Sequence, residues 1–300
     1  MIRIKCSVLF CDYAKDKWTC VIVMDIEVIE HKDNILRFVV HESSIAIMNT
    51  YRRLIISEVP TLAIEDIILV ENSSPMLDEI IAHRLGLIPI TTPIDEFVVT
   101  SECENCDGEG CQFCSATLTL DIENEGNKPK MVYSKDLQST DDKIIPVSEK
   151  IPIAKLAPGQ KIVLEAIAFM GRGEEHAKWS PVANCSYRYY PEVKQDKSKC
   201  TGCKECVEAC PKDLLEVKRK EVTLTDPLEC TLCDLCTNAC AYDSLEMVHK
   251  EGDFIFTLES TGAVKPLDIF RKATEILKNK TKDFQDEYKK ALELFAKEKK

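Results

Sequence analysis

Apolar and polar positions alternate over residues 24–31, and residues 35–41 are mostly apolar and rich in Ile, Val and Phe, so each stretch predicts a strand. The polar residues 32–34 between them suit a turn. Apolar side chains then recur at steps of three and four, which predicts a helix over residues 43–58 that Pro60 ends. The chain therefore begins as a strand, a strand and a helix.

The same reasoning predicts a second helix and further strands. Ser74 is expected to cap this helix, with Pro75 at its first position and Gly86 just beyond its last turn. Strands are predicted over residues 62–70, 160–170 and 253–258, and residues 96–165 have the composition of a β-rich stretch with many loops.

A long amphipathic helix is predicted over residues 266–298, with Pro266 in its first turn. Its apolar seam consists of Phe270, Ala273, Leu277, Phe284, Tyr288, Ala291 and Phe295. At about 1.5 Å per residue this helix is on the order of 45 Å long, more than one side of a small domain needs. Its distal half is expected to pack against a second chain, with packing inside the same chain as the alternative.

One internal repeat is visible in the second half of the sequence. A shift of 30 residues places Cys200, Cys203, Cys206 and Cys210 on Cys230, Cys233, Cys236 and Cys240. Asp213, Leu215 and Glu216 also meet identical residues under this shift. A duplicated unit predicts a small domain with pseudo-twofold symmetry.

Both cysteine runs have the spacing CxxCxxCxxxC and resemble bacterial two-cluster ferredoxins, in which the fourth cysteine of each run ligates the other cluster. The resemblance implies one [4Fe–4S] cluster, cluster 1, on Cys200, Cys203, Cys206 and Cys240. It implies a second, cluster 2, on Cys210, Cys230, Cys233 and Cys236. A zinc site or a set of disulfides is the alternative interpretation, and a cluster can also cross-link a small domain without transferring electrons.

A separate group of four thiols, the thiol loop, consists of Cys103, Cys106, Cys111 and Cys114. Gly108 and Gly110 allow the link between its two CxxC pairs to turn. Four thiolates in so short a loop favour structural zinc, with a disulfide or a metal-free loop as alternatives. Cysteines 6, 11, 20 and 185 match no metal pattern and are expected to be reduced thiols.

Charge and composition limit the classes of function. The chain has 300 residues and a net charge of −12, which argues against direct contact with DNA, because phosphate backbones require clustered Lys and Arg. No run of 18 apolar residues and no signal peptide pattern occurs, so we expect a cytoplasmic protein without a membrane span. In such a protein, cysteines grouped in CxxC patterns favour metal.

Three blocks of sequence resemble the alpha-like subunits of RNA polymerase, and they occur in that family's order. They are NTYRR and EVPTLAIE at 49–53 and 58–65, NSSP and DEIIAHRLGLIP at 72–75 and 78–89, and HAKWSPV at 176–182. The likeness extends over nearly everything from Met24 onward, with the ferredoxin-like segment as an insertion. This combination is similar to the archaeal members of the family.

The resemblance implies an α+β fold with a discontinuous alpha-like dimerisation domain. The implied domains are a dimerisation domain over 24–58, 160–190 and 250–300, an inserted β-rich domain over 59–159 with the thiol loop, and an inserted ferredoxin-like domain over 191–249. Residues 1–23 form an N-terminal extension outside the pattern, so a start at Met24 is the alternative interpretation.

The resemblance also implies a function, that of a non-catalytic assembly subunit of DNA-dependent RNA polymerase. The implied partners are the small alpha-like subunit L (Rpo11) as a heterodimer, subunits N and P (Rpo10 and Rpo12), and the large catalytic subunits. The implied interface residues are Tyr51, Arg52 and Arg53 on the first long helix and Phe284, Tyr288 and Phe295 on the last. The sequence has no GxSxG, P-loop or HExxH motif, so nucleotidyl transfer is expected to belong to the holoenzyme.

A function of another class, an electron-carrying subunit of an anaerobic oxidoreductase, also fits the ferredoxin-like segment. It does not account for the blocks at 49–65 and 176–182. A combined interpretation, in which the cluster state reports redox conditions to transcription, stays open. The reduction potential of a cluster depends on its exposure to solvent and on hydrogen bonds to its sulfur atoms. The sequence alone therefore does not set the potential.

Overall fold

The secondary structure mixes strands and helices, as predicted for an α+β protein. The computed structural model describes the backbone of residues 2–14 and 17–298 and the side chains of residues 25–295. Its strands are β1 (Ile2–Ala14), β2 (Lys17–Lys32), β3 (Ile35–His41), β4 (Thr61–Asn72), β5 (Ser115–Glu123), β6 (Lys130–Tyr133), β7 (Gln138–Ser139), β8 (Pro152–Leu156), β9 (Lys161–Gly171), β10 (Val182–Gln195), β11 (Leu215–Lys218), β12 (Glu221–Leu224) and β13 (Leu245–Ser260). Its helices are α1 (Ile45–Ser57), α2 (Asp78–Gly86), α3 (Glu205–Glu208), α4 (Leu235–Asn238) and α5 (Pro266–Glu298).

The chain divides into two compact units. Unit 1 contains the residues before Lys32 together with 36–50 and 186–257, and unit 2 contains 32–35, 51–185 and 258–300. A five-stranded sheet has the order β1-β2-β3-β13-β10. In unit 1, Phe38 of β3 stacks on Phe256 of β13 with ring centroids 5.2 Å apart, so residues distant in sequence form one buried face.

The N-terminal strands extend further than predicted. β1 and β2 pair as an antiparallel hairpin, with Ile4 opposite Ile26 and Cys11 opposite Cys20. The sequence predicts no strand before residue 24, whereas β1 and the first part of β2 lie there. The turn between β2 and β3 is confirmed, with Asp33 at a φ of 41°.

A four-stranded sheet in unit 2 has the order β4-β9-β5-β7. Alternate residues of β9 are buried, as expected for a strand with one face on a core: Ile162, Leu164, Ala166, Ala168 and Met170. β9 pairs with both β4 and β5. The expected grouping of residues 160–171 with the dimerisation domain does not agree with this pairing, because β9 lies between strands of the segment 59–159.

Helix α1 presents an apolar face to the interior of the chain. Tyr51 is 1% exposed and stacks on Phe270 of α5, with ring centroids 5.0 Å apart. The expectation that Tyr51 contacts a partner subunit is therefore corrected, since its ring is covered within this chain. Arg52 is half-buried and Arg53 is exposed.

Helix α2 begins later than predicted. Its first residue is Asp78, and Leu77 before it makes no side-chain cap. Ser74, the predicted cap, donates its hydroxyl to Oδ1 of Asn72 at 2.6 Å and stays in the preceding turn. Gly86 is the last helical residue instead of the first residue beyond the helix. Local side-chain bonds such as that of Asn72 compete with helix formation.

The repeated segment folds into two copies of one structural unit. Helices α3 and α4 span four residues each, and each follows a residue in the left-handed conformation, Lys204 and Asp234. β11 and β12 form an antiparallel hairpin between the two copies. The core of this module is small and consists of Cys206, Leu215, Val222, Cys236, Leu245 and Met247. A core of this size gains much of its stability from cross-links.

Candidate metal centres

One cavity of the ferredoxin-like module is lined by the four cysteines predicted for cluster 1. Cys200, Cys203 and Cys206 come from a single loop, and Cys240 comes from the turn after α4. Positive φ angles at Gly202 (81°) and Lys204 (69°) fold this loop tightly enough to bring its three cysteines to one cavity.

A second cavity is lined by the four cysteines predicted for cluster 2. Cys230, Cys233 and Cys236 belong to one loop, and Cys210 comes from the other run. The remaining lining is largely apolar and includes Leu214, Leu215, Leu224 and Met247. The structure thus brings together the two predicted sets of thiols, each completed by a cysteine from the other run, and this grouping supports the predicted ligand sets.

The chemistry of these cavities fits [4Fe–4S] clusters. Thiolates are the soft ligands that iron–sulfur clusters require, and three of the ligand cysteines, Cys200, Cys206 and Cys236, are buried. Burial raises the pKa of the Cys206 and Cys236 thiols, so cluster binding has to displace their protons. When bound, the clusters supply covalent cross-links and one-electron redox chemistry.

The thiol loop has the geometry of a tetrahedral metal site. Its four sulfur atoms lie within 4.8 Å of one another. The Sγ–Sγ distances are 3.7 Å for Cys103 and Cys111, 3.5 Å for Cys106 and Cys114, and 3.8 Å for Cys111 and Cys114. A disulfide has sulfurs about 2.05 Å apart, whereas Zn–S bonds of about 2.3 Å give tetrahedral edges of about 3.8 Å. The loop therefore fits zinc, and the free thiols argue against the disulfide alternative.

The two glycines of the loop have the predicted role. Gly108 and Gly110 have φ angles of 88° and 98°, in the left-handed region. A Cβ at Gly110 would lie 2.5 Å from Cε1 of Phe169 on β9. The loop thus packs against the four-stranded sheet at a distance that only glycine allows.

Two thiols of the loop, Cys106 and Cys114, differ in how readily they lose a proton. Desolvation raises the pKa of Cys114 to about 12. Cys106 is also desolvated, but hydrogen bonds with Cys114 and the Gly110 backbone outweigh this effect and lower its pKa to about 7. The Cys106 thiol therefore loses its proton more readily than the Cys114 thiol.

The block HAKWSPV has a structural role within unit 2. It forms a short 3-10 turn over Ala177–Trp179, and Trp179 is 8% exposed. The indole N–H of Trp179 donates to the Phe169 carbonyl at 3.0 Å, and the Thr61 hydroxyl donates to the Trp179 carbonyl at 2.8 Å. A Cβ at Gly171 would lie 2.5 Å from the indole ring, so the tryptophan is locked against β9.

Two families match separate parts of the chain. The RNA polymerase Rpb3/RpoA insert domain matches residues 63–183, and the 4Fe-4S dicluster domain matches residues 199–244. The first match contains the thiol loop, and the second contains all eight cysteines of the two cavities.

Similar proteins of known family cover most of the chain. DNA-directed RNA polymerase subunit Rpo3 of Methanosphaera stadtmanae is 41% identical over 260 residues, which is 86% of this chain and 96% of the relative. Rpo3 of Archaeoglobus fulgidus is 40% identical over 259 residues, with the same shares. The chain belongs to this family of RNA polymerase subunits. The relationship reaches the eukaryotic Rpb3 branch, since rpb3 of RNA polymerase II from Dictyostelium discoideum is 36% identical over 284 residues, 87% of this chain and 93% of the relative.

Membership of the Rpo3/Rpb3 family confirms the resemblance and the α+β architecture predicted from the sequence. It also makes the chain a subunit of DNA-directed RNA polymerase, and the dicluster match confirms that the repeated segment is an iron–sulfur domain. Among the residues that the structure describes, every helix is too short or too polar to cross a bilayer.

The predicted interface residues of α5 lie on the surface of the chain. Phe284 is 67% exposed, Tyr288 is 45% exposed and Phe295 is 56% exposed. Such exposure of large apolar side chains is uncommon unless another surface covers them.

Two contacts to ligand cysteines were not predicted. The Ser244 hydroxyl lies 3.2 Å from Sγ of Cys240 and lowers the pKa of that thiol. Arg188 of β10 donates to the carbonyl of Cys230 at 3.1 Å. Ser244 departs from the 30-residue repeat, which has Leu214 at the equivalent position. This difference between the two copies is the sequence feature that could have indicated a special role for Ser244. Arg188 lies outside the repeat, and no feature of the sequence indicated its contact with Cys230.

Replacing Cys103 with serine is expected to abolish zinc binding, because three thiolates leave the tetrahedral site incomplete. Metal analysis after oxidative removal of iron should find about one zinc per chain in the unchanged protein and none in the variant. The matched control is Cys185→Ser. Cys185 is a cysteine outside both groups whose pKa burial raises to about 12, and its replacement should preserve the zinc. Absence of zinc from the unchanged protein with reduced thiols would show that the loop is not a zinc site.

Proposed function

We propose that the chain is a non-catalytic assembly subunit of DNA-dependent RNA polymerase, which pairs with the small alpha-like subunit L (Rpo11) and nucleates assembly of the large catalytic subunits. The observation that carries the proposal is the contrast between the two halves of α5. The first half is packed within unit 2, and the second half exposes its apolar seam.

The first half of α5 is anchored by packing and by charge. Ile269 and Ala273 are fully buried. Arg271 forms an ion pair with Asp95 at 2.6 Å, and Lys280 forms one with Glu58 at 2.5 Å. These contacts fix the direction in which the rest of the helix continues.

The second half of α5 continues the seam with large apolar side chains that are exposed in this chain. Phe284 and Tyr288 stack with ring centroids 6.3 Å apart, and Leu292 and Phe295 continue the same stripe at steps of three and four. A helix with one exposed apolar stripe and a charged opposite face suits a helix-on-helix interface. A second alpha-like chain with its own terminal helix is the occupant that the family membership favours.

The proposed domains follow the expected ones with one change. The dimerisation domain takes residues 24–58, 172–190 and 250–300, and β9 moves to the inserted domain. Arg52 and Arg53 of α1 are proposed to face a large subunit, and subunits N and P (Rpo10 and Rpo12) are proposed to join the same platform. With a net charge of −12, the chain is proposed to avoid direct contact with DNA and to act in the cytoplasm.

The proposed metal content is two [4Fe–4S] clusters and one zinc ion. Cluster 1 is held by Cys200, Cys203, Cys206 and Cys240, cluster 2 by Cys210, Cys230, Cys233 and Cys236, and zinc by the thiol loop. The small core of the ferredoxin-like module supports a structural role for the clusters, and their one-electron chemistry leaves room for a redox-responsive one.

Affinity purification of the tagged full chain from a native anaerobic lysate tests this proposal. Mass spectrometry should identify subunit L and the two large polymerase subunits in the eluate. An eluate containing subunits of an oxidoreductase and no polymerase subunits would contradict the proposal and favour the electron carrier.

A further inference from the structure

The two cluster cavities are related by the repeat, so their equivalent positions can be compared directly. The backbone N–H of Leu214 donates to Sγ of Cys210 at 3.5 Å, and that of Ser244 donates to Sγ of Cys240 at 3.4 Å. Each cavity thus has the same amide contact to the cysteine contributed by the other run.

The side chains at these two positions differ in chemistry. The Ser244 hydroxyl lies 3.2 Å from Sγ of Cys240, and Ser244 is 5% exposed. A cluster-bound cysteine is a thiolate without a proton, so the hydroxyl has to be the donor. The Leu214 side chain has no donor to offer Cys210. Cluster 1 therefore has a buried hydroxyl donor at this position, where cluster 2 has an apolar side chain. Cluster 2 has a hydroxyl elsewhere, since the Thr237 side chain hydrogen-bonds to Cys236, whereas Val207 occupies the equivalent position at cluster 1.

We propose that the Ser244 hydroxyl raises the reduction potential of cluster 1 above the value that the cluster would have with an apolar residue at this position. This inference rests on the ligand sets of the proposed function. Reduction adds one electron to [4Fe–4S]²⁺ and gives [4Fe–4S]⁺, so the complex with its four thiolates becomes more negative. An O–H dipole aimed at sulfur stabilises the more negative state, and it does so more strongly in a buried site.

Nearby charged side chains also change the reduction potentials of both clusters, and their influence can be separated from that of the Ser244 hydroxyl. Lys204 lies at the cluster 1 cavity and Asp234 at the equivalent place of the other, a difference that acts in the same direction as Ser244. Both side chains are exposed, so solvent screens them. Arg188, which is half-buried beside Cys230, acts in the opposite direction by favouring reduction of cluster 2.

A pair of reciprocal substitutions isolates the hydroxyl, because it leaves the charged residues around both cavities unchanged, including Lys212 at the cluster 2 cavity, and leaves Thr237 unchanged. The test uses the full chain, loaded with clusters anaerobically and titrated with dithionite while EPR monitors the reduced clusters. Ser244→Ala should lower the potential of one cluster and leave the other unchanged. Leu214→Ser should raise the potential of the other cluster. Ser244→Thr, which keeps a hydroxyl, should restore the potential of the unchanged protein.

The control is Ser198→Ala, which removes an exposed hydroxyl bonded to Asp196 in the same module and should shift neither potential. Iron content separates the possible failures. Far fewer than about eight irons in the fully loaded, unchanged protein would overturn the ligand sets. With iron content intact, unchanged potentials in Ser244→Ala, or an equal shift of both clusters, would overturn the role of Ser244 even if Leu214→Ser misfolds.

Discussion

Replacing Phe284 and Phe295 with aspartate is expected to stop subunit L from co-purifying with the chain. Both side chains belong to the exposed seam of α5, and in the proposed heterodimer they become buried. Burial of one phenylalanine contributes about 1.5–3 kcal/mol, and a free-energy loss of about 1.4 kcal/mol weakens Kd tenfold. The double substitution should therefore weaken Kd by at least about 10²- to 10⁴-fold, since buried charges add their own desolvation cost.

The same substitution should leave the chain itself folded. Phe284 and Phe295 are exposed, so their replacement removes little of the core of unit 2. The eight cysteines of the clusters lie in unit 1, so iron content should stay normal. Co-expression with subunit L followed by size-exclusion chromatography and iron analysis measures both outcomes.

A matched control separates the loss of apolar surface from the change of charge. Lys282→Gln with Lys290→Gln changes the net charge by the same amount as the two aspartates. At about 100° per residue, both lysines lie on the side of α5 away from the seam. This control should keep the heterodimer. A stable heterodimer in the Phe284→Asp, Phe295→Asp protein would exclude the terminal helix as the interface.

The regular elements could be predicted where the signal was local. The stripe of α5 repeats over its whole length and Pro266 marks its beginning, so its bounds agree with the structure. β9 is a long run of mostly apolar residues, and its predicted bounds agree with the structure to within one position. The start of α2 could not be predicted, because Oδ1 of Asn72 accepts from both the backbone N–H and the hydroxyl of Ser74. This local turn takes up the hydroxyl that would otherwise cap the helix.

Tertiary pairing was the main part of the fold that local patterns could not supply. β9 alternates in the same way whether it pairs with β4 or with strands of the other sheet, so its domain could not be read from its own residues. The sequence was similarly ambiguous about whether Tyr51 lies in an interface or in the core. An aromatic residue on an apolar helix face suits an interface as well as a core, and only the position of Phe270 in space distinguishes them.

The candidate sites were more predictable than the fold around them. Cysteine spacing identifies eight thiols as candidate ligands, and the resemblance to two-cluster ferredoxins implies the exchange of the fourth ligand. The lining of the two cavities agrees with that exchange. The contact of Ser244 with Cys240 depends on a side-chain position within a buried turn. The sequence shows only that the two copies of the repeat differ at this position. The short distance between Oγ of Ser244 and Sγ of Cys240 shows that the serine contacts a ligand cysteine.

Replacing Cys210 with alanine is expected to remove cluster 2 and leave cluster 1 in place. Cys210 lies in the sequence run of Cys200, Cys203 and Cys206, but its side chain lines the cavity of Cys230, Cys233 and Cys236. Alanine is used because a serine oxygen could still bind iron. Iron content should fall from about eight to about four per chain. The mirror-image variant, Cys240→Ala, should cause the same loss of iron from the other cluster.

Alkylation of the native protein under anaerobic conditions identifies which cluster is lost, because cluster-bound thiolates are protected and released thiols react. Cys210→Ala should expose Cys230, Cys233 and Cys236 to iodoacetamide, and mass spectrometry should find them labelled. Cys240→Ala should instead expose the three other ligands of cluster 1. If Cys210→Ala led to labelling of Cys200, Cys203 and Cys206, each run would hold its own cluster and the crossed ligand sets would be wrong. Labelling of all remaining ligands in either variant would show that the two clusters depend on each other for binding, since each cavity is walled by residues of the one small core.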